Sequence, residues 1–476
     1  MNEEEKNEWL INPGKLFPRD LRIGFLCGNK DFIRATETYL GVLDESQFWE
    51  EGRMKKIQTE RLRLLTSCIA ERSFFWRNFF EKQGFDPVSA ELGNFSRLMI
   101  LKRDFLSDSR NKIHVEPLPE DNPLFSRTSS GTTGIPLKLI YSEREMIIGH
   151  IPTYFRHPVF EKRLLAGLFS RKPFVVLGRP GLRYVCEKDF FYGNFDDISL
   201  SDLDDRELRQ KIYESIIGAA PAILVGFGSL IVRFAEWAHD DGVSLPLLAV
   251  RTSSEPVSLA QREMISQYLK APLINMLSGN GISFLGFECP ENPDYFHSFA
   301  DSNILEVVGE SGEALPEEEE GELVVTSLSY LLTPHIRFAH GDIGRLVSEN
   351  CPCGRTLPLF EFHGRRGYEI VLPSGKKVGM IHLHNALMNW WGSSLKAKQI
   401  QVMQDKPDGI RILVVPKKDF HEGDEIEMRM AVIKLFEGEK MIVEVDRVNK
   451  IIPGRGHKPR FFIPLSEAKE IGIEKS

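Results

Sequence analysis

The sequence has few of the residues that mark several common protein classes. Six cysteines in 476 residues are too sparse for a disulfide-built extracellular scaffold. The formal net charge is −8, whereas a general nucleic-acid-binding protein is normally basic. This balance argues against a nucleic-acid partner, although it does not exclude a local nucleotide site. The sequence also contains no internal repeat and no long low-complexity segment.

Long apolar runs are missing as well. The longest one, 216–232, is interrupted by Gly218, Pro221, Gly226 and Gly228, whereas a membrane-spanning helix needs about 20 mostly apolar residues. The first residues are acidic and lack the apolar core of a secretory signal. We therefore expect a soluble cytoplasmic protein without a membrane partner, and we leave open whether it forms a homodimer.

The sequence does contain enough apolar residues for a large core. Hydrophobic residues make up 42% of the chain, and its length allows one large domain together with a small one. Apolar residues at helical spacing predict a helix over 55–80, with the aromatic cluster at 74–80 packed in the core. Farther on, short apolar runs at 174–178, 222–226, 247–250 and 272–276 alternate with helical patterns. This alternation predicts mostly parallel strands, with ligands at their carboxyl ends.

The pattern changes after residue 303 to shorter strands separated by turns. Strands are predicted at 399–403, 410–416 and 442–445, and a helix at 425–436, so the last hundred residues form a small α+β unit. The boundary falls at 362–367. The predicted fold class is therefore α/β. A large domain over 1–366 has mostly parallel sheets flanked by helices and a β-rich subdomain, and a small mobile domain covers 367–476.

Four hydroxyl residues and two glycines follow one another at Ser129, Ser130, Gly131, Thr132, Thr133 and Gly134. Glycine lets backbone N–H groups approach a ligand closely, and oriented amides with short hydroxyls suit phosphate oxygens. Strand-forming residues follow directly, so the loop is predicted to close a hairpin. A flexible surface loop is the alternative. The segment lacks the Gly-Lys-Ser/Thr ending of the Walker phosphate loop.

This loop resembles the S-S-G-T-T-G-x-P loop of adenylate-forming enzymes. Together with the segments around 74–87 and 99–106, it resembles the opening of their phenylacetate–CoA ligase branch, and the resemblance covers nearly the whole chain. It implies that the loop holds the phosphates of ATP while a carboxylate attacks. One departure is Ile135, where many relatives carry lysine.

The resemblance implies roles for further residues. Ser254, Glu255 and Pro256 match a stretch beside the adenine, although a plain helix start is an alternative. Asp342 matches an aspartate that accepts hydrogen bonds from the ribose hydroxyls, and an exposed turn is its alternative. Arg365 matches an arginine before the interdomain hinge, where Gly367 replaces an aspartate.

The remaining implied residues concern the reaction itself. Lys458 matches a lysine that is brought to the reacting carboxylate, with a basic surface loop as the alternative, and Thr132 and Ser278 complete the implied catalytic set. Asn275 stands where relatives have an aromatic residue on the adenine. Gly279 stands where a glutamate binds Mg²⁺, and its loss weakens the usual metal site.

A second group of residues has the composition of a metal site. Cys289 is followed by His297, and Cys351 and Cys353 form a C-x-C pair. Three thiolates and one imidazole suit tetrahedral zinc, and relatives of this branch carry similar cysteines. We expect a closed structural zinc site without a catalytic role. The other cysteines, Cys27, Cys68 and Cys186, are expected in the core.

Three functions follow from these observations. The first is ATP-dependent activation of a carboxylic acid to acyl-AMP, followed by transfer to coenzyme A, with ATP and Mg²⁺ as cofactors. The second keeps activation but transfers the acyl group to an amine or to a carrier-protein thiol. The third is a non-catalytic nucleotide- or acyl-binding protein, which Asn275 and Gly279 suggest.

Overall fold

A computed structural model gives the structure of the chain. It describes residues 2–16, 30–108, 112–117, 124–128, 138–145, 148–149, 156, 173–178, 191–195, 198–252, 255–278, 284–394, 396–436, 438–452 and 461–468. Within these residues, no helix combines the length and the apolar character that crossing a bilayer requires.

Helices dominate the first hundred residues. The helix predicted over 55–80 is found as two helices, Glu51–Arg72 and Phe74–Lys82. Ser73 separates them because its backbone is extended, and its side chain accepts a hydrogen bond from the N–H of Trp76. Trp76, Phe79 and Phe80 are buried, as predicted, but Phe74 is 78% exposed. The other helices here are Glu3–Ile11, Lys30–Ser46, Leu92–Phe95 and Arg103–Ser107, with a 3₁₀ turn at Pro13–Lys15.

The centre of the protein is one sheet of twelve strands. Their order is β11-β12-β13-β14-β10-β9-β8-β7-β6-β4-β5, with β1 paired to β13. The strands are β1 Leu101–Lys102, β4 Phe174–Leu177, β5 Phe191–Phe195, β6 Ala222–Gly226, β7 Leu247–Thr252, β8 Leu273–Ser278, β9 Phe284–Cys289, β10 Asn292–Ser298, β11 Asn303–Val308, β12 Gly321–Ser327, β13 Phe338–Val347 and β14 Leu359–Arg365. A separate hairpin consists of β2 Leu124–Thr128 and β3 Lys138–Ser142.

The sheet has a parallel half and an antiparallel half. Strands β5, β4, β6, β7 and β8 pair in parallel, as the sequence predicts. From β9 to β14 the neighbouring strands pair antiparallel. These strands form the predicted β-rich part, which continues the same sheet. The predicted fold class is confirmed.

Both faces of the parallel half are covered. Alternate residues of one strand enter two different cores: Val176 packs with the N-terminal helices, and Val175 packs on the opposite face. Burial on both faces explains why these strands read as continuous apolar runs. The covering helices are Arg206–Gly218, Gly228–Asp240 and Leu259–Leu269, and short helices lie at Glu143–Glu145 and Asp202–Asp204. The predicted capping box of Ser258 and Gln261 starts the third helix.

The last hundred residues form the predicted α+β unit. Its sheet has the order β19-β18-β17-β20, and Gly367, with φ of +79°, lies between β14 and the first element of this unit. Its elements are β15 Glu369–Val371, β16 Lys377–Gly379, the helix Met380–Ser394, β17 Ala397–Lys406, β18 Gly409–Pro416, the helix Glu422–Ile433, the 3₁₀ turn Lys434–Phe436, β19 Ile442–Arg447, β20 Phe462–Ile463 and the helix Leu465–Ala468.

The C-terminal unit packs on the helical face of the parallel strands. The Nζ atom of Lys417 lies 2.8 Å from Oε1 of Glu236, and the side chain of Gln261 contacts Met388 Sδ at 3.1 Å. A Cβ atom added to Gly392 would lie 2.3 Å from the Cβ of Ala260, so glycine permits this close helix crossing. The division at residue 366 and the mobility of the small domain remain predictions.

Candidate functional site

The last residues of β6 and β7 lie side by side with the middle of β8 at one edge of the sheet. Gly226 on β6 pairs with Thr252 on β7, and Thr252 pairs with Asn275 on β8. Asn275 and Ser278 are partly exposed. Because ligands bind outside the carboxyl ends of such strands, both predicted residues lie at the edge where a ligand is expected.

The carboxylate of Glu255 caps the helix Gly228–Asp240. Its Oε2 atom accepts hydrogen bonds from the backbone N–H and the hydroxyl of Ser229, at 2.9 and 2.7 Å. Free N–H groups at a helix N-terminus favour a negative charge. A Cβ atom on Gly228 would lie 3.0 Å from Val257 Cγ2 and 3.3 Å from the carbonyl of Pro256. Glu255 therefore fastens the loop after β7 to the helix after β6.

Asp342 and Arg365 are direct neighbours. They lie opposite each other on β13 and β14, and Arg365 Nε is 3.1 Å from Asp342 Oδ1. The other carboxylate oxygen, Oδ2, is 3.1 Å from His340 Nδ1. Arg365 Nη2 also donates to the backbone carbonyl of His340 at 3.0 Å. Asp342 is 6% exposed, and its carboxylate is flanked by a nitrogen on each side.

A bulge in β13 sets the direction of these side chains. Val324 on β12 pairs with Ala339, whereas Glu322 pairs with Ile343, so residues 340–342 of β13 face a single residue of β12. Gly341 has φ of +91°, a conformation that residues with a Cβ rarely adopt. Bulges commonly redirect side chains next to functional sites.

The predicted hairpin is confirmed in its two arms. β2 and β3 pair antiparallel up to Thr128 and Lys138. The hydroxyl of Thr333 fastens β3, since it donates to the carbonyl of Ile140 at 2.9 Å and accepts from its N–H at 2.8 Å. Thr333 shortly precedes β13, so the segment that leads to Asp342 also holds the hairpin.

Several predicted residues lie outside the described part of the chain. They are Ser129, Ser130, Gly131, Thr132, Thr133, Gly134, Ser254, Gly279 and Lys458, together with Cys27 and Cys186. Their predicted roles remain predictions. Among the described residues, β14, β10 and β9 separate β13, which carries Asp342, from β8, which carries Asn275 and Ser278.

Four predicted ligands come together beside the antiparallel strands. Cys289 ends β9, His297 lies on β10, and Cys351 and Cys353 lie between β13 and β14. Their ligand atoms all lie within 4.8 Å of one another. The Sγ atoms of Cys289 and Cys351 are 3.4 Å apart, and Cys353 Sγ is 3.2 Å from His297 Nε2. The arrangement can hold a metal ion.

The surroundings of this cluster set the proton affinities of its members. Burial lowers the pKa of His297 to about 4, so the imidazole is neutral, as a metal ligand must be. Burial raises the pKa of Cys351 to about 12 and also raises that of Cys289. Burial opposes ionisation of Cys353 too, but hydrogen bonds from the backbone and side chain of Arg355 lower its pKa below the usual value. A bound dication would supply the charge that buried thiolates need.

A third group of charged residues lies just before the predicted hinge. His363 Nδ1 is 2.5 Å from Oε2 of Glu320, and its Nε2 is 2.7 Å from Oε2 of Glu361. Arg345 also pairs with Glu361, and the ring of His382 on the C-terminal unit lies 5.8 Å from that of His363. Burial alone would lower the pKa of His363, but the two carboxylates raise it above its usual value.

We expect replacement of His363 by glutamine to destabilise the protein in a pH-dependent way. A raised pKa stabilises the folded state fully below the unfolded value of about 6.5, and this contribution is lost as pH rises through the folded pKa. The pKa values of Glu320 and Glu361 are lowered. In strong acid these two carboxylates become protonated, and the stabilising contribution of the ion pairs is lost again. The gap in thermal midpoint between wild type and His363→Gln should therefore be largest near pH 6 and shrink towards pH 9.

His382 supplies a control, because its effect on stability should change with pH in the direction opposite to that of His363. Burial, together with the charge of His363, lowers the pKa of His382, so protonation of this side chain opposes folding below about pH 6.5. His382→Gln should therefore lessen the loss of stability on acidification. A gap between wild type and His363→Gln that stays constant from pH 6 to pH 9 would contradict this account.

Comparisons with known proteins agree with this geometry. No protein-family model matches the sequence. The chain is 26% identical over 322 residues to the phenylacetate-coenzyme A ligase of Thermus thermophilus, an alignment covering 64% of this chain and 68% of that protein. The structure of the present chain matches that of 2-hydroxyisobutyryl-CoA ligase in the postadenylation state. The TM-score is 0.69 at 18% identity, and the match covers 88% of this chain and 90% of the other.

The chain has the fold of the adenylate-forming ligases. A further match is the anthranilate CoA ligase AuaEII in complex with anthranoyl-AMP, with a TM-score of 0.51 at 13% identity, covering 70% of this chain and 64% of that one. The predicted resemblance to the phenylacetate–CoA ligase branch is confirmed by the sequence match. The predicted enzyme class, an adenylate-forming ligase, agrees with both kinds of comparison.

Two features of this ligase fold were not predicted from the sequence. One is His340 beside Asp342, and the other is His363 between two glutamates. The position of His340, two residues before Asp342 across a glycine, was the available signal. The partners of His363 are its neighbour Glu361 and the distant Glu320, and no local pattern joins these three residues.

Proposed function

We propose that the protein activates a carboxylic acid with ATP and transfers the acyl group to coenzyme A. The acid oxygen attacks the α-phosphate, and pyrophosphate leaves. The thiol sulfur then attacks the acyl carbon, its proton is lost, and AMP leaves. The observation that carries the proposal is the buried carboxylate of Asp342, which is flanked by Arg365 and His340 on a fold shared with ligases of this type.

Each group of proposed site residues contacts a different part of the nucleotide. Asp342 accepts hydrogen bonds from the ribose hydroxyls, and Arg365 holds that carboxylate. The loop 129–134 binds the phosphates, with Thr132 and Ser278 near the reacting atoms. Lys458 neutralises the negative charge that shifts during attack. The loop 254–256 and Asn275 border the adenine.

Magnesium would be held mainly by the phosphates. Gly279 brings no carboxylate to this loop, and Mg²⁺ commonly combines one or two protein ligands with phosphate oxygens and water. When bound, the ion would neutralise charge on the phosphates. The chain's own contribution is the set of hydroxyls and amides in the loop 129–134.

We also propose that the cysteine and histidine cluster holds a structural Zn²⁺. Three sulfur ligands and one nitrogen ligand match the preferred tetrahedral set, and four protein ligands leave no position for water or substrate. Zinc here would join β9 and β10 to the loop that carries Cys351 and Cys353. Its role is therefore in stability and not in the reaction.

The test of the proposed function is the exchange of labelled pyrophosphate into ATP, measured with a panel of aliphatic and aromatic carboxylic acids. At least one acid should support exchange, and none should occur without acid. Lys458→Ala should lower the exchange rate by about 100-fold, the size expected when one charge-stabilising group is lost, while ATP binding persists. Absence of exchange with every acid would overturn the proposal.

The acyl acceptor is tested separately. With an acid that supports exchange, coenzyme A should give a product with the mass of the acyl thioester. The comparisons offer no support for an amine or a carrier protein as acceptor. Supplying those acceptors in place of coenzyme A, with product mass as the readout, would reveal them.

A further inference from the structure

The helix Glu422–Ile433 of the C-terminal unit carries apolar side chains on two sides. Met428 and Val432 are 0% exposed and pack in the core that this unit shares with the parallel half of the large sheet. On the other side, Ile426, Met430 and Ile433 are 54%, 49% and 38% exposed. We call these three residues the outer stripe. The helix therefore presents one apolar face to the core and a second one to solvent.

The outer stripe differs from ordinary exposed apolar residues in its spacing. Single exposed apolar side chains are common in soluble proteins, and the other large ones in the described part of the chain are scattered singly. Steps of four and three residues instead place the stripe in one line along the helix. The same steps form the seam through which two helices pack against each other. The stripe therefore has the geometry of a helix-pairing surface.

The charges beside the outer stripe have a matching arrangement. Glu427 follows Ile426, and Lys434 follows Ile433, so the two charges lie on the same flank of the stripe. Both charged residues are exposed, and the chain stays helical through Lys434. On the opposite flank, the Nε atom of Arg429 is buried, so the aliphatic part of this side chain lies against its own unit. One flank thus offers an acidic group near one end and a basic group near the other.

We propose that the outer stripe joins two copies of this chain in a dimer, with the two helices antiparallel. A two-fold axis beside Met430 sets this residue against its own copy and sets Ile426 against Ile433 of the other copy. The same axis brings Glu427 of each copy to Lys434 of the other, since both pairs are centred beside Met430. Two-fold dimers use the same patch on both copies. This face is complementary to itself, whereas a partner of another kind would need no such symmetry.

The proposed dimer is weak and reversible. The helix has 12 residues, and one pair of such helices buries less than the ~1,200–2,000 Å² of a standard stable interface. We therefore expect a Kd in the micromolar range. The inference does not depend on the proposed function, because the outer stripe shares no residue with the proposed nucleotide site.

Sedimentation velocity at increasing protein concentration tests the proposal. The wild type should pass from the mass of one chain to the mass of two between micromolar and submillimolar concentration. Met430→Glu should raise the Kd by about 100-fold and leave a monomer, because two glutamates would face each other across the axis. A wild type that stays monomeric throughout overturns the proposal and leaves the stripe to a different partner. A Met430→Glu protein that dimerises like the wild type overturns it as well.

Ile442→Glu is the matched control. Ile442 is 58% exposed and lies on β19 of the same unit. The next residue, Val443, packs in the core with Met428, so Ile442 points to the opposite face of the small sheet, away from the helix. This variant adds the same charge to the same unit and should dimerise as the wild type does. Loss of the dimer in both glutamate variants would show an effect of charge alone, and the proposed interface would be wrong.

Disulfide formation locates the axis. Mild oxidation should join two copies of Met430→Cys into a covalent dimer, because the axis places the two thiols together. Ile442→Cys, which contains the same natural cysteines, should not cross-link under these conditions. Equal cross-linking of the two variants would contradict pairing at the outer stripe.

Exchange of the charges tests the antiparallel orientation. Lys434→Glu should raise the Kd about tenfold, since it sets like charges together on each side of the axis. Adding Glu427→Lys should restore dimerisation by reversing both pairs. Glu427 also accepts a hydrogen bond from Trp390 Nε1 at 3.0 Å, so the thermal midpoint of the double variant is measured beside that of the wild type. A folded double variant that dimerises as weakly as Lys434→Glu would overturn the proposal. Should the double variant not fold, the comparison of Met430→Cys with Ile442→Cys gives the decision.

Discussion

Replacing Cys353 by serine is expected to abolish binding of the proposed Zn²⁺ and to lower the thermal unfolding midpoint by about 10 °C. Zinc supplies about 10–16 kcal/mol to isolated zinc-finger peptides. A loss of roughly 5 kcal/mol from this larger domain corresponds to about 10 °C, at about 2 °C per kcal/mol. Serine is nearly isosteric but binds zinc poorly, so the change removes the ligand with little disturbance of packing.

The effect should spread beyond the four proposed ligands because the loop that carries Cys351 and Cys353 is hydrogen-bonded to Gln47, directly after the helix Lys30–Ser46. Arg355 Nε donates to the side chain of Gln47 at 2.9 Å, and the backbone N–H of Thr356 donates to the Gln47 carbonyl at 2.8 Å. Loss of the metal frees the loop that carries these contacts. The connection between the antiparallel strands and the first helices then loosens.

Cys68→Ser is the matched control. Cys68 lies on the helix Glu51–Arg72 and outside the cluster. Elemental analysis of protein purified without chelator should find about one zinc per chain in the wild type and in Cys68→Ser, and almost none in Cys353→Ser. A metal-free wild type, or a Cys353→Ser protein that is as stable as Cys68→Ser, would contradict the proposed site.

The parts of the fold that could be predicted from sequence are those specified by local patterns. The parallel strands appear as short continuous apolar runs because both of their faces are buried. The helix Leu259–Leu269 was predicted because Ser258 and Gln261 satisfy its first N–H groups locally. The metal cluster was predicted because thiol and imidazole groups in this number suit one metal, although its ligands come from three separate segments.

The helix Met380–Ser394 shows why other elements were not predicted. It packs on both the large domain and the small sheet, and Leu383, Leu387, Trp390 and Trp391 are all buried. A helix buried on several sides lacks the polar face that makes helical periodicity visible. The break at Ser73 was missed for a different reason, because the apolar spacing continues across it.

The pair formed by Asp342 and Arg365 shows a similar limit. Resemblance to the ligase family singled out Asp342 and Arg365 one at a time. Their pairing depends on the register of β13 against β14, and the approach of His340 depends on a bulge whose only local sign is Gly341. Register and bulges are properties of strand pairs, so a single strand's sequence does not determine them.

Asp301→Asn is expected to destabilise the folded protein by about 3–5 kcal/mol, the usual cost of leaving one buried charge without its partner. Arg156 and Asp301 form a bidentate ion pair, with Nη1 to Oδ1 at 2.9 Å and Nη2 to Oδ2 at 2.5 Å. Both side chains are 0% exposed. The guanidinium also lies 4.4 Å from the ring centroid of Phe299.

The double variant Arg156→Met with Asp301→Leu distinguishes two contributions to stability. One is the destabilisation caused by an unpaired buried charge, and the other is the net stabilisation by the intact ion pair. A buried charge loses its hydration and needs a partner, whereas two apolar residues of similar size need none. The double variant should therefore recover most of the stability that Asp301→Asn loses. The shift of the urea unfolding midpoint measures both changes. An exposed pair, Lys211 and Glu207, serves as control, because Glu207→Gln should leave the midpoint unchanged. If the double variant is as unstable as Asp301→Asn, the ion pair itself stabilises this fold, and the cost does not arise from an isolated buried charge.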